Sequence, residues 1–317
     1  MSGLNHKVVA GIAEIDADDP MLLVATEVAR ASGAELHLVH AYELPKLFAM
    51  SPGLTAAFPE GGRDYETLLL KKLEEAAHKL PGGENAVCHV VAGKPMRALV
   101  RIAAEVEADL VVVGAARRTR LGRAILGTTA QRVLRASPVP VLVARRPVTG
   151  RPERVLLTTD LTELSAAVHE SALYTIGQYF GAPAHLRSLT VLGWSTVPPP
   201  LPPEALEHTA RVELEKFLRD RTTGPAVHPV VRTGFAADEI VAEARDWNAD
   251  LLVLGTHARG WGARMMLGSV AEAALRDAPC NVLAVPPRRT AALVAAAASE
   301  HPWAESPELA EWFDPVI

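Results

Sequence analysis

Short apolar runs alternate along the chain with longer stretches in which Ala and Leu recur at helical spacing. Val8-Val9-Ala10-Gly11-Ile12 predicts a first strand, and Asp18-Asp19-Pro20 predicts a helix start that carries through to Ser32-Gly33. A strand from Glu35 to Ala41 follows directly. Pro45 to Arg63 reads as a Pro/Gly-rich loop, and Tyr65 to Leu80 as a helix stopped by Pro81-Gly82-Gly83. Strand Ala86 to Val91, helix Pro95 to Val106, strand Leu110 to Val113, a long Arg/Gly loop, helix Thr128 to Ala136 and strand Val139 to Val143 complete the set. Near-continuous apolar strands alternating with helices predict a parallel sheet covered on both faces.

The pattern then starts again. Ala108-Asp109-Leu110-Val111-Val112-Val113-Gly114 returns as Ala249-Asp250-Leu251-Leu252-Val253-Leu254-Gly255, a shift of 141 positions. The same shift carries Gly93 to Gly234, Gly127 to Gly268, Pro138 to Pro279 and Val141 to Val282, so about fifty residues repeat without a gap. A repeat of this length is a duplicated domain rather than a solenoid unit. The second copy predicts strands Val155 to Thr159, His185 to Leu192, Val227 to Val231, Leu251 to Leu254 and Val282 to Val285. Its helices are Ser165 to Phe180, Glu204 to Arg221, Ala237 to Trp247 and Ser269 to Asp277. The polar Pro/Gly stretch from Arg145 to Pro152 separates a first domain, 1–148, from a second, 149–289. A tail, 290–317, lies outside the repeat, with Trp303, Trp312 and Phe313 to dock on a domain or a partner, or to stay mobile. The run from Pro198 to Pro203 reads as a rigid strand-to-helix connection, with a docking motif as the alternative.

Composition narrows the classes. A 49% hydrophobic fraction with 5% aromatics describes an Ala/Val/Leu interior of helices on parallel strands, not an aromatic-rich sandwich. A net charge of −5 argues against a nucleic-acid partner held by bulk electrostatics. Cys88 and Cys280 do not correspond under the repeat. They therefore read as buried small residues in a reducing compartment rather than as a disulfide or a metal site. Residues 1–7 carry no signal-peptide apolar region, and no run approaches the roughly 20 apolar residues of a membrane span, so the expectation is a soluble cytoplasmic protein with no membrane partner.

Chemistry concentrates after the fourth strand of the second copy. A strand ending at Gly255 and a helix beginning near Ser269 bring glycines and a hydroxyl to a helix N-terminus, where backbone N–H groups and the helix dipole suit a phosphate. Neither the Walker nor the dinucleotide glycine spacing occurs here. Gly255-Thr256-His257-Ala258, nine residues, then Gly268-Ser269 resembles the ATP-binding motif of the universal stress protein family, Gly-x-x-Gly, nine residues, Gly-Ser/Thr. The start Val155 to Ser165 resembles the family's first strand and its Asp-x-Ser-x-x-Ser helix start, and Ala278 to Val285 its closing strand.

The fold implied by the resemblance is α/β, two tandem doubly wound five-stranded parallel sheets of order 3-2-1-4-5 with flanking helices. It implies that the two final strands meet edge to edge, an intramolecular pseudo-dimer. It also implies ATP or AMP at the switch-point crevice of the second copy. The implied nucleotide contacts are Thr158, Thr159 and Asp160 after strand 1, Val191 at the end of strand 2, and Leu254, Gly255, His257, Gly268, Ser269 and Val270. Asp160 matches the acid on the ribose and adenine side, and Gly268 and Ser269 match the phosphate end. Two departures count. Ala258 stands where the family has its second glycine, a methyl that costs on the order of 1 kcal/mol if that position needs a positive φ. In the first copy Arg117 takes the same place and Ala13 stands where the acid should be, so that site reads as degenerate.

Other chemistries find no support. His37 and His40 point to opposite faces of one strand and form no ligand pair. The chain has no Gly-x-Ser-x-Gly elbow, no His-Glu-x-x-His and no dedicated general base, so a non-enzymatic nucleotide-binding stress module is expected. Its rivals are a scaffolding stress protein without nucleotide and a slow ATPase. Sequence leaves open a homodimer of the whole chain and a Mg2+ ion accompanying the nucleotide.

Overall fold

The computed structural model describes residues 6–43, 61–115, 126–148, 150–193, 202–221, 226–256 and 267–286. The first half runs β1 (Lys7–Ile12), α1 (Pro20–Ser32), β2 (Glu35–Tyr42), α2 (Gly61–His78), β3 (Val87–Ala92), α3 (Pro95–Glu105), β4 (Leu110–Gly114), α4 (Thr128–Ala136) and β5 (Val141–Ala144). The second runs β6 (Arg154–Thr158), α5 (Glu163–Tyr179), β7 (His185–Gly193), α6 (Pro203–Arg221), β8 (Val227–Gly234), α7 (Ala236–Asp246), β9 (Leu251–Gly255), α8 (Ser269–Asp277) and β10 (Asn281–Val285).

Local signals set the boundaries. Asp19 caps α1, its Oδ1 accepting from the N–H groups of Met21 at 2.7 Å and Leu22 at 3.3 Å, with Pro20 in the first turn and Gly33 in the left-handed region at φ 66°. Helix α5 starts two residues before the expected Ser165, because Thr162 is the cap and its hydroxyl accepts from the Ser165 N–H at 3.3 Å. Strand β5 starts after Pro140, not at Val139, since a proline has no N–H to give to the ladder.

The ten strands form one sheet, in the order β3-β2-β1-β4-β5-β10-β9-β6-β7-β8. Each half has the expected order 3-2-1-4-5, and all neighbours are parallel except β5 and β10, which pair antiparallel. Val141, Leu142 and Val143 stand opposite Ala284, Leu283 and Val282. The implied meeting of the two last strands is therefore present, and it removes two open sheet edges. One apolar layer under α3, α4, α7 and α8 runs through both halves without a break, from Val141 and Val143 to Val282 and Ala284. The other lies under α1, α2 and α5 and includes both Leu142 and Leu283. Among the described residues no helix is long and apolar enough to cross a membrane.

Candidate functional site

Strand β6 lies between β7 and β9. The chain leaves β6 for a helix on one face of the sheet and leaves β9 toward a helix on the other, which opens a crevice at their C-terminal ends. Two threonines hold the lip. The Thr158 hydroxyl donates to the Val253 carbonyl at 3.0 Å, tying β6 to β9, and the Thr159 N–H donates to the Leu189 carbonyl at 2.9 Å, tying it to β7.

Asp160 follows on the exposed rim. Its Oδ1 accepts from the Thr162 hydroxyl at 2.6 Å, the Thr162 N–H at 3.2 Å and the Ser165 hydroxyl at 2.5 Å. These bonds fix the carboxylate before any ligand arrives, in a turn tight enough that Leu161 takes φ 62°. The opposite wall is the start of α8. Gly268 is its N-cap, with no side-chain cap bond, so the first-turn N–H groups lack the side-chain acceptor that caps α5. Ser269 is exposed, as is Val270.

Leu254 is buried beneath the crevice and half-buried Val191 packs on the same core. Gly255 has a packing role of its own. A Cβ there would stand 3.3 Å from Val168 Cγ2, and one at its repeat partner Gly114 would stand 3.0 Å from Met21 Cγ. The repeated glycine therefore lets the first helix of each half close onto the sheet. Gly268, at φ −59°, has no need of glycine's conformational freedom. His257 and Ala258, like Arg117 in the first half, lie outside the described residues. Ala13 is exposed just past β1.

One residue beneath the crevice escaped the sequence reading. His169, on the apolar face of α5, donates from Nε2 to the Thr158 carbonyl at 3.2 Å and lies edge-on to Phe217. Burial pushes its pKa down to about 4, so the imidazole is neutral, and the Nε2–H bond fixes the tautomer. Its Nδ1 has no hydrogen-bond partner among the described residues. The signal available in sequence was a lone histidine between Val168 and Ala172, which does not announce a strand carbonyl as its partner. His37 and His40 are indeed not paired with each other. His37 Nδ1 lies 3.1 Å from His89 Nε2, and His40 Nδ1 donates to the Ile12 carbonyl at 3.0 Å. Among the described residues no three His, Cys, Asp or Glu side chains gather as a metal site.

A sequence profile of the Universal stress protein family matches residues 5–145 and again 152–286. A universal stress protein of Mycobacterium tuberculosis is 31% identical over 199 residues, covering 59% of this chain and 68% of that one. One from Thermus aquaticus is 31% identical over 128 residues, 38% of this chain and 85% of that one. Among solved structures, a universal stress protein from Archaeoglobus fulgidus has a similar fold, with TM-score 0.62 at 18% identity over 90% of this chain and all 100% of that one. So does a functionally unknown protein of Pseudomonas aeruginosa, with TM-score 0.64 at 18% identity over 97% and 98% of the two chains.

Proposed function

Because the chain belongs to the universal stress protein family and carries its domain twice, we propose that it is a non-enzymatic stress-response module that binds ATP or AMP in its second half. In this reading residues 149–289 form the nucleotide-binding domain, residues 1–148 a structural partner whose own site has degenerated, and 290–317 a separate tail. The single observation that carries it is the difference between the two crevices. Asp160 is held by three hydrogen bonds opposite the uncapped start of α8, whereas the first half has Ala13 in its place. The phosphates would take the N–H groups around Gly268 and Ser269, and Asp160 the ribose hydroxyls. Thr158, Thr159 and Gly255 would shape the floor and Val191, Leu254 and Val270 the apolar walls, and His257, which lies outside the described residues, is assigned to the site by the family motif alone. A Mg2+ ion, where it accompanies ATP, would be coordinated mainly by phosphate oxygens and water.

Equilibrium titration with ATP and AMP tests this. Saturable binding is expected in the unaltered chain, weakened at least tenfold by Asp160→Ala and abolished by Gly268→Val. No saturation at millimolar nucleotide, or indifference to both substitutions, overturns it. The scaffolding reading draws on Ala258, whose methyl stands where the family motif has glycine. It predicts a protein that carries no small molecule when it is purified and denatured.

A further inference from the structure

Phe235 is the most exposed of the large apolar side chains among the described residues, at 70%. It is also the N-cap of α7, with no side-chain cap bond. That position favours Ser, Thr, Asp or Asn, so a phenylalanine there gives up a capping interaction and leaves an aromatic ring in water. Folding does not account for it. Its repeat counterpart in the first half, Lys94, is an uncapped N-cap too, but a cation.

We propose that Phe235 is the platform on which the nucleotide base stacks, so that the second-half crevice selects ligands with a planar base over bare phosphates. The proposal rests on the nucleotide reading above and adds its base specificity. Strands β9, β6, β7 and β8 lie side by side, and three strand spacings span about 14 Å, the reach of an extended adenosine phosphate. Helices α7 and α8 pack against each other on one face of the sheet and start from its C-terminal edge. A phosphate at Gly268 and Ser269, with the ribose at Asp160, therefore sets the base over the ends of β7 and β8. There Gly193 and Gly234 stand opposite each other, immediately before Phe235. Among the described residues nothing lies within 4 Å of where a Gly193 Cβ would be, whereas a Cβ at Gly234 would stand 2.7 Å from Glu239 Oε1, so of the two glycines it is the Gly193 side that is uncovered.

The ring is presented by a fixed element. Arg232 of β8 binds three acids of α7, Glu239 at 3.3 Å, Glu243 at 2.8 Å and Asp246 at 2.7 Å. This clamp ties α7 to β8 along the length of the helix, from Glu239 in its first turn to Asp246 at its end, and so gives the ring at its N-cap a rigid support. The first half has Val91 at the position equivalent to Arg232, and so lacks both the clamp and the ring.

Calorimetric titration of the full chain with ATP and, separately, with inorganic tripolyphosphate tests the assignment. Phe235→Ala is expected to weaken ATP about tenfold or more, the usual loss for one base stacked on an aromatic, while tripolyphosphate binding stays unchanged. Phe235→Trp is expected to restore or exceed the original ATP affinity. An unaltered melting temperature of the exposed Phe235→Ala variant shows that the fold is intact. ATP affinity unaffected by Phe235→Ala but lost in Asp160→Ala overturns this inference and leaves the nucleotide site standing. Equal losses of ATP and tripolyphosphate also overturn it. An unaltered chain that saturates with neither ligand removes both the site and its platform.

Discussion

Leu142 and Leu283 face each other across the antiparallel seam between β5 and β10, and they are the same position of the repeat, 141 residues apart. When equivalent residues of two copies meet, a local two-fold axis passes between them. Gln131 and Glu272, also 141 apart, touch at 3.5 Å between α4 and α8, which puts the axis through the helix layer as well. The two halves are thus joined as an isologous dimer is, within one chain.

Both leucines are fully buried. Leu142→Ala or Leu283→Ala is expected to lower unfolding stability by about 2–5 kcal/mol, as for large-to-small changes in other cores. Because the two side chains share one packing site, the double variant should lose measurably less than the two single losses combined. Urea denaturation of the three variants checks both statements; strict additivity would place the leucines in independent environments.

Glu243 is buried between Arg187 at 2.6 Å and Arg232 at 2.8 Å, with Arg187 also lying over the Trp247 ring. Removing the carboxylate leaves two partly buried cations facing each other, so Glu243→Ile should cost about 3 kcal/mol. The first half has solved the same positions with Ile102 and Val91. Combining Glu243→Ile with Arg232→Val copies that solution and is expected to recover most of the loss. A double variant as unstable as the single one would contradict this account.

His169 makes stability depend on pH. Its folded pKa is lowered to about 4 while the unfolded value is the ordinary 6.5, so the unfolded chain takes up the proton first as pH falls. The contribution is complete above pH 6.5 and is lost progressively down to about pH 4, amounting to about 3 kcal/mol. The stability difference between the unaltered chain and His169→Leu should shift by that amount over that window, with the unaltered chain losing ground as pH falls. Curves that stay parallel would rule out a neutral, buried imidazole.

Gly255→Ala brings a methyl to 3.3 Å from the branched Val168, and Gly114→Ala brings one to 3.0 Å from the flexible Met21 side chain. Despite the shorter distance, the Gly114 change should be the milder, because Met adapts and Val does not. The Gly255 change is expected to cost about 1–3 kcal/mol and to be relieved by Val168→Ala. Thermal melts of the three variants decide it.

Much of this was legible in the chain. The apolar runs and the 141-residue shift gave every strand and its partner, and the resemblance gave the strand order and the seam. Element ends slipped by a few residues where a cap such as Thr162, or a missing N–H such as that of Pro140, decided the boundary. Contacts between elements were less readable. Arg187, Arg232 and Glu243 come from two strands and a helix and look like surface charges when taken singly. Gly255 reads as part of a phosphate motif until Val168 is seen above it. In the candidate site, Asp160 follows β6 and Gly268 is the N-cap of α8, while His257 and the departing Ala258 fall outside the described residues.

The seam has one further consequence. In an assembly of two identical subunits every substitution appears twice, once at each pocket, so a change that blocks one blocks both. Joining the subunits covalently ends that obligation: Ala13 and Asp160, or Val91 and Arg232, can differ while the shared sheet stays whole. Specialisation of one half is then compatible with the other serving only as its scaffold, and their association no longer weakens on dilution.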